Sequence, residues 1–488
     1  MKYSYVNFES FLKHLPKSSI IQGEEWDGLA KEQWEITDKF HGDVLRQVAL
    51  MDENSFDELW ASIQQAEIAF KQGKKEFRIK NLSIIYDALN ENQALFSRLI
   101  VAEAGKPISF AKAEVLRALK TLQLSIQAAE KSDQTFDVKP GQEDYKLFYH
   151  YEAAGPVLGI TPFNFPLNLA LHKIGPALAA GCPVVIKVPP QCPLSLLMLS
   201  KLSHEKGLSK DILNVIACSN KTAEKLVRSD FFKVFSFTGS DRVGWYLQSI
   251  AGRKKVLLEA GGNAPAIVND AKDLTALANR LALSAFAYSG QVCISTQRIL
   301  VNQQIKQEFV PLLVEAAQSV KSGNPEQDQC INGPLIDAKS LERVQQSINQ
   351  ALAHGAQLLC GGYPLVENVN IFAPTLIDHV FSGMNIRDSE IFGPVAVVEY
   401  YEDFNEALTL ANDSLYGLQA AVFTDIESLQ QKAIEQLKYG TVLINEVPSF
   451  RVDQMPYGGM KNSGLGREGV EFAFIECSEI KLVVKAIN

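Results

Sequence analysis

Cys293 closes the run Gly290-Gln291-Val292-Cys293, 34 positions after Glu259 in Leu257-Leu258-Glu259-Ala260-Gly261-Gly262-Asn263. A thiolate attacks carbonyl carbon, and a neighbouring carboxylate can take a proton from the water that later releases the product. A cysteine and a glutamate in two glycine-bounded loops are therefore the materials of covalent catalysis with hydrolysis. Neither residue carries that reading alone, since a solitary cysteine is more often a small buried hydrophobe. What surrounds them has to decide.

The chain has 488 residues, enough for roughly two or three domains, and a 47% hydrophobic share allows sizeable cores. A net charge of -9 with no Lys/Arg block argues against a nucleic-acid partner and favours small soluble ligands. No apolar run reaches the roughly 18 residues of a bilayer span, and the N-terminus lacks an apolar signal core, so a cytoplasmic protein without a membrane partner is expected. Seven cysteines without CxxC spacing read as reduced thiols, and seven scattered histidines without HExxH offer no metal site. A lone histidine such as His172 reads as structural.

Helical periodicity runs through residues 55–135, with Phe56, Leu59, Trp60, Ile63 and Ala66 on one stripe. Residues 144–152 alternate like an aromatic-rich edge strand that could pair with another subunit. From 155 to about 265, the β-branched runs Val184–Val188, Ile212–Ala217, Val234–Phe237 and Val256–Leu258 are each separated by about one helix, the mark of a parallel doubly wound sheet. A second series runs through Ala266–Val268, Arg298–Val301, Leu376–Ile377, Val395–Tyr400, Ala420–Phe423 and Thr441–Ile444. The tail Glu479–Lys485 is another strand. The first 40 residues, with Trp26 and Trp34, read as a cover over a subunit face.

Gly464-Leu465-Gly466-Arg467-Glu468-Gly469 fits GxGxxG, but the chain ends 19 residues later and leaves no room for the βαβ unit and acidic residue that such a dinucleotide fingerprint needs. Phe237-Thr238-Gly239-Ser240 is the better phosphate candidate, where a strand gives way to a helix start with free N–H groups and a hydroxyl. Its bland alternative is Ser240 as a plain helix cap. The absence of Gly-Lys-Ser/Thr argues against a nucleoside triphosphatase.

Seven segments stand in one order: Thr161-Pro162-Phe163-Asn164-Phe165-Pro166, Val184-Val185-Ile186-Lys187, Phe237-Thr238-Gly239-Ser240, the Glu259 loop, the Cys293 loop, Glu390-Ile391-Phe392-Gly393-Pro394-Val395 and Pro456-Tyr457-Gly458-Gly459-Met460-Lys461-Asn462-Ser463-Gly464. Together they resemble the aldehyde dehydrogenase superfamily from about Glu103-Ala104-Gly105-Lys106-Pro107 to the C-terminus. The resemblance implies an α/β fold of two doubly wound parallel-sheet domains with a small β oligomerisation element. It divides the chain into a cofactor-binding domain (1–140 and 155–264), a nucleophile domain (265–460) and the oligomerisation element (141–154 and 461–488), in a homodimer or homotetramer. It also implies pairing of the tail strand with the 144–152 segment.

By the same resemblance Thr161, Pro162, Phe163, Lys187, Pro190, Gly239, Ser240, Glu390 and Phe392 line a nicotinamide cofactor site, with Lys187 at the adenosine ribose, Ser240 at the pyrophosphate, and Glu390 and Phe392 at the nicotinamide ribose. Many NAD-preferring members carry a glutamate three places after the lysine. This chain has Pro190 there, so NAD and NADP both stand as cofactors: without that carboxylate, a 2′-phosphate meets less repulsion. The expected reaction has Cys293 adding to an aldehyde, Asn164 and the Cys293 N–H holding the oxyanion, and Glu259 activating the hydrolytic water. Glu259 also separates this pattern from coenzyme A-acylating relatives, which lack that glutamate.

Arg117 and Arg451 occupy positions near those at which some members bind phosphorylated or phosphonylated aldehydes, and two arginines aimed at one pocket favour an anionic group remote from the aldehyde. The alternative makes Arg117 a solvated helix residue and pairs Arg451 with Asp453. Arg298 reads as structural. The context is closest to lactaldehyde, phosphonoacetaldehyde and semialdehyde dehydrogenases, and a short polar or anionic aldehyde is the expected substrate. A catalytically silent nucleotide-binding protein of the same fold and a coenzyme A-acylating enzyme are the competing readings.

Overall fold

The computed structural model describes residues 7–28, 30–132, 134–139, 145–366 and 369–487. Asp144, the first residue of the expected edge strand, and residues 141–143 of the expected small element lie outside these. Three helical stretches, Phe56–Asn90 with a non-helical break at Lys74, Gln93–Ala104 and Ile108–Glu130, account for the helical periodicity after residue 55.

The first sheet has eight strands. Its centre is Val157–Ile160, flanked on one side by Val184–Lys187 and Leu213–Ile216, and on the other by Val234–Thr238 and Lys255–Glu259, all parallel. The chain thus winds outward in one direction, returns to the centre, and winds outward in the other. The gap between Val157–Ile160 and Val234–Thr238 is the topological switch point, where open α/β sheets bind ligands beyond the carboxyl ends of their strands. Burial on both faces explains the near-continuous apolar runs. Val184 and Ile186 pack on the helices of one face, while Val185, Leu158 and Ile160 pack into the cluster on the other.

The second sheet has seven strands, centred on Ala264–Val268, with Thr296–Asn302, Val395–Tyr401 and Thr375–Asp378 to one side and Gln419–Phe423 and Thr441–Ile444 to the other, all parallel; Gln357–Cys360 adds an antiparallel edge. Ala266, Val268, Ile299 and Val301 feed one core, and Ile267 and Leu300 the opposite one. Arg298 is fully buried here: its Nε donates to Glu399 at 2.7 Å, and Arg387 Nε donates to the other oxygen of the same carboxylate, also at 2.7 Å. Its structural reading follows from that triad.

The tail strand Ser478–Ala486 pairs antiparallel with Tyr145–Ala153 along its whole length, and Thr135–Val138 completes a three-stranded sheet. One segment sits differently from expectation. Residues 461–477, grouped by sequence with the tail, do not join this small sheet: Gly464–Leu465 extends the first sheet beside Leu258 and Glu259, and the helix Val470–Glu476 packs on Asn168–Ala180. The N-terminal segment belongs to the first sheet. Ile20–Ile21 joins its edge at Val215, Trp26 enters its core, and Trp34 stands over Lys187. Short strands and isolated aromatics have no periodicity, so their docking is visible only once the sheet exists.

Candidate active site

Strand direction brings the site together. Glu259 ends the last long strand of the first sheet, and the link Ala260–Asn263 enters the second sheet at Ala264. Cys293 and Glu390 each precede a second-sheet strand, Thr296–Asn302 and Val395–Tyr401. The carboxyl ends of one sheet therefore face the amino ends of the other across the link. A Cβ on Gly262 would sit 2.2 Å from the Cys293 carbonyl oxygen, so only glycine lets the two loops approach this closely.

The nucleophile loop is held in an uncommon conformation. Tyr288, Ser289 and Gly290 all have left-handed φ (50°, 58° and 64°), which costs of order 1–3 kcal/mol for each non-glycine residue unless the surroundings impose it. They do so through three anchors. Tyr288 Oη donates to Ala104 O at 3.1 Å, Ser289 Oγ donates to Gly333 O at 2.6 Å, and Gln291 bonds Pro334 O and Ile336 N through its side chain. Asn164 Nδ2 donates to Gln291 O at 2.9 Å, which fixes the amide two residues from the nucleophile and leaves its second N–H available.

Beneath Asn164 lies a fully buried ion pair, Lys106 with Glu114. Glu114 Oε1 accepts from Leu167 N at 3.0 Å and Asn168 N at 3.1 Å, capping the helix Asn168–Ala180 from another element. The Lys106 ammonium sits 3.6 Å from the Phe165 ring centroid and 4.7 Å from that of Tyr288, tying the Asn164 segment to the nucleophile loop.

Cys293 Sγ lies 3.1 Å from Tyr457 Oη. Burial pushes the thiol up to about 12, and the tyrosine hydrogen bond opposes that shift. Glu259 is buried with Oε2 lacking a partner, and its carboxyl is held well above the usual range, first by burial and then by the negative Glu468 nearby. Glu468 is itself held low, against its burial, chiefly by Lys173, whose ammonium donates to it at 2.9 Å and also to Ser236 Oγ and Thr238 Oγ1. Tyr457, Lys173 and Glu468 carried no assigned role in the sequence reading. Only the Pro456-Tyr457-Gly458-Gly459 and Gly464–Gly469 segments had drawn attention, the latter for a different reason.

The two candidate arginines part company. Arg117 forks onto Asp453, Nη2 to Oδ1 at 2.6 Å and Nε to Oδ2 at 3.2 Å, and His172 Nε2 lies 3.0 Å from the same Oδ1. Asp453 is thus the partner of Arg117, not of Arg451, and Arg117 is no freely solvated helix residue. Arg451 lies flat on Tyr457, its guanidinium carbon 3.5 Å from the ring centroid. Its side chain is 6% exposed, Nε and Nη2 make no hydrogen bond, and its nearest carboxylate oxygen is Glu468 Oε2 at 3.9 Å.

At the switch point, Thr161 accompanies Lys187, its N–H and hydroxyl both donating to Lys187 O at 3.2 Å. Gly239 N–H donates to Glu259 O at 3.1 Å. Ser240 takes the N-cap position of Asp241–Ile250 yet makes no side-chain capping bond, so it is not a plain cap. The Lys187 side chain is buried, and no carboxylate pairs with it among the described residues; burial pulls its pKa down. Pro162, Phe163 and Pro190 are half-buried, and Phe163 meets Phe392 edge to face at 5.7 Å. Glu390 Oε1 accepts from Gly262 N at 2.9 Å, and burial raises its carboxyl to about 7.

The aldehyde dehydrogenase family model matches residues 26–483. A 3-sulfolactaldehyde dehydrogenase of Priestia megaterium is 35% identical over 97% of this chain and 99% of its own. Aldehyde dehydrogenase 21 of Physcomitrella patens, solved with the reaction product succinate, superposes with a TM-score of 0.92 at 32% identity, covering 96% of this chain and 98% of that one. The glyceraldehyde-3-phosphate dehydrogenase GapN of Methanocaldococcus jannaschii, solved with NADP, superposes with a TM-score of 0.89 at 32% identity, covering 94% and 100%.

Proposed function

The chain belongs to the aldehyde dehydrogenase family, and from that premise we propose that it oxidises a short aldehyde bearing a remote anionic group to the carboxylate, with NAD or NADP as acceptor. The observation that carries the substrate class is Arg451: a buried guanidinium without a hydrogen-bonded carboxylate, whose charge acts on both Glu259 and Cys293. A buried cation is costly until an anion pairs with it. The three similar proteins act on sulfolactaldehyde, release succinate, or are named for glyceraldehyde 3-phosphate, each compound carrying an anion. Arg117, already forked onto Asp453, is assigned a supporting role.

A dinucleotide fits the residues at the switch point. The Ser240 hydroxyl is unspent at a helix N-terminus, and Lys187 is a buried cation that meets the Trp34 ring at 5.5 Å but pairs with no carboxylate among the described residues. Gly239, Thr161, Pro162 and Phe163 would line the groove, Pro190 would stand where a ribose-binding carboxylate is absent, and Glu390 and Phe392 would flank the nicotinamide ribose. The uncompensated Lys187 favours the 2′-phosphate of NADP over NAD. When bound, the nicotinamide supplies the two-electron oxidation by accepting hydride.

The protein's own residues do the rest. Cys293 thiolate adds to the aldehyde carbon, and the oxyanion is held by the Asn164 amide and the Cys293 N–H. Glu259, with one oxygen free, takes a proton from the water that attacks the resulting thioester. A carboxylate there favours hydrolysis over transfer to coenzyme A. The first sheet with its helices would be the cofactor-binding unit and the second the nucleophile unit.

We also propose a homodimer or homotetramer in the cytoplasm. Ile480, Leu482 and Val484 are exposed on one face of an edge strand, the kind of surface a second copy covers. Among the described residues no helix is long and apolar enough to cross a membrane.

The test follows reduced-nicotinamide absorbance with NAD and NADP against lactaldehyde, succinic semialdehyde, glyceraldehyde 3-phosphate and phosphonoacetaldehyde. Turnover with an anionic aldehyde, abolished in Cys293→Ala while cofactor binding persists, is expected. No reduction with any pair would leave the fold as a binding protein, and acceleration by coenzyme A would make it an acyl-transferring enzyme.

A further inference from the structure

The Tyr457 hydroxyl lies against the sulfur that must become nucleophilic, and no other side chain makes a hydrogen bond to that sulfur among the described residues. Tyr457 is 2% exposed, comes from the loop before Gly458-Gly459, and packs with Ile294, Leu418, Val292 and Cys293 in a small apolar cluster. In such surroundings a thiolate has little to stabilise it. Glu259 and Glu390, the carboxylates whose charges reach Cys293, both oppose its ionisation, whereas the Arg451 charge favours it.

From this geometry we propose that Tyr457 is a further catalytic residue: its O–H donates a hydrogen bond to Cys293 Sγ, stabilising the thiolate both as it attacks and as it leaves.

Three features fit this role. Burial holds the phenol well above its ordinary pKa, so the proton stays on oxygen and Tyr457 remains a donor. Arg451 lies on the ring face at 3.5 Å, and a cation there draws electron density from the ring and strengthens the O–H as a donor. Hydrogen bonds to an ionised acceptor are roughly twice as strong as neutral ones, so the contact gains strength when the sulfur is charged.

The balance is closed in both directions. In attack, the thiolate lone pair forms the S–C bond, the carbonyl π pair moves onto oxygen, and the tyrosine keeps its proton; loss of hydride from that adduct to the oxidised cofactor of the proposed reaction would leave the thioester. In hydrolysis, the oxygen of water forms a C–O bond to the thioester carbon and one water proton passes to the Glu259 carboxylate. The C–S bond then breaks with its electron pair going to sulfur. The thiolate so formed meets the Tyr457 O–H again, and once Glu259 passes its proton to solvent the products are the carboxylic acid and the free enzyme. The turnover part of this role rests on the aldehyde oxidation proposed above; the thiol chemistry does not.

Tyr457→Phe removes only the hydroxyl and leaves the ring under Arg451. The expected result is a 10- to 100-fold slower alkylation of Cys293 by iodoacetamide at neutral pH, with the alkylation pH profile moved upward by about one unit or more, corresponding to the usual strength of a hydrogen bond to a charged group. kcat/KM for the preferred aldehyde falls in parallel, while the Kd for reduced cofactor, read by its fluorescence, is unchanged. Alkylation rates and profile within twofold of wild type would overturn the proposal, whatever the turnover shows. Altered alkylation in an enzyme that oxidises no aldehyde would sustain it and sink the proposed function instead. Should Tyr457→Phe not fold, Tyr457→His keeps a ring N–H donor; alkylation within threefold of wild type supports the role, and loss of reactivity as large as that expected for Phe overturns it.

Discussion

Arg117 is clamped by Asp453 through two hydrogen bonds, 2.6 Å from Nη2 to Oδ1 and 3.2 Å from Nε to Oδ2. The carboxylate, which also meets His172, is held well below the usual range against its own burial by these two neighbours. One of two candidate anion-binding cations is thereby neutralised, and Arg451 is left with unspent donors. Arg451→Met also removes a charge that favours Cys293 ionisation, so both kinds of substrate should slow, and kcat/KM for an anionic aldehyde should fall about 10- to 100-fold further than for a neutral aldehyde of similar length, as for a lost hydrogen bond to a charged group. Steady-state kinetics on matched pairs of aldehydes measures this; equal losses on both would remove Arg451 from substrate recognition.

In the proposed cofactor site, the choice between NAD and NADP would turn on Lys187 and Pro190. Pro190→Glu restores a carboxylate able to accept from ribose hydroxyls and to repel a 2′-phosphate, and the ratio of kcat/KM for NADP over NAD should fall by tenfold or more, about 1.4 kcal/mol. Initial rates with each cofactor under saturating aldehyde give the ratio. An unchanged ratio would mean that the residue at 190 does not face the ribose.

Glu390 gives stability a pH dependence. Its carboxyl is raised from an ordinary 4.5 to about 7, chiefly by burial. Between those values the folded protein holds a proton that the unfolded chain has released, so stability is full below about 4.5 and is lost as pH rises through about 7, with a slope of at most about 1.4 kcal/mol per pH unit. Glu103, also raised to about 7 by burial, adds a slope of the same sign. His172 and His204, both held below their ordinary values by burial, add slopes of the opposite sign in this window, so urea denaturation at intervals from pH 4.5 to 7.5 should show the wild type losing more stability with rising pH than Glu390→Gln does.

Glu399 bridges two buried guanidinium groups, Arg298 and Arg387, the second of which also pairs with Asp388 and Asp413. Glu399→Ala should destabilise the protein by about 3–5 kcal/mol, because it strands buried charge beneath the strand that follows Cys293. The urea midpoint reports it. A shift worth under about 1 kcal/mol would show that the two arginines find other partners, such as the Leu410 and Asp413 carbonyls that Arg298 already reaches.

Much of this was legible in the order of residues. Apolar runs such as Val184–Ile186 and Val395–Val398 declare buried parallel strands, because both faces of such a strand are covered and no alternation survives. The Gly261-Gly262 and Gly290 positions mark Glu259 and Cys293 as lying in glycine-bounded loops, but the structure alone places Gly262 so close to the Cys293 carbonyl that a Cβ there would clash. Element type and the two sheets were therefore determined by local pattern and spacing, and the family by the resemblance of seven ordered motifs. What only the tertiary structure decided is which charges meet. Arg117 and Asp453 are 336 positions apart, Lys173 and Glu468 are 295 apart, and Cys293 and Tyr457 are 164 apart. Such pairs leave no periodic trace in the chain, because a buried ion or hydrogen bond is specified by the packing of separate elements. For the same reason two arginines alike in sequence became unlike in the fold: one lies within reach of a carboxylate fork, and the other lies flat on a tyrosine ring beside the nucleophile.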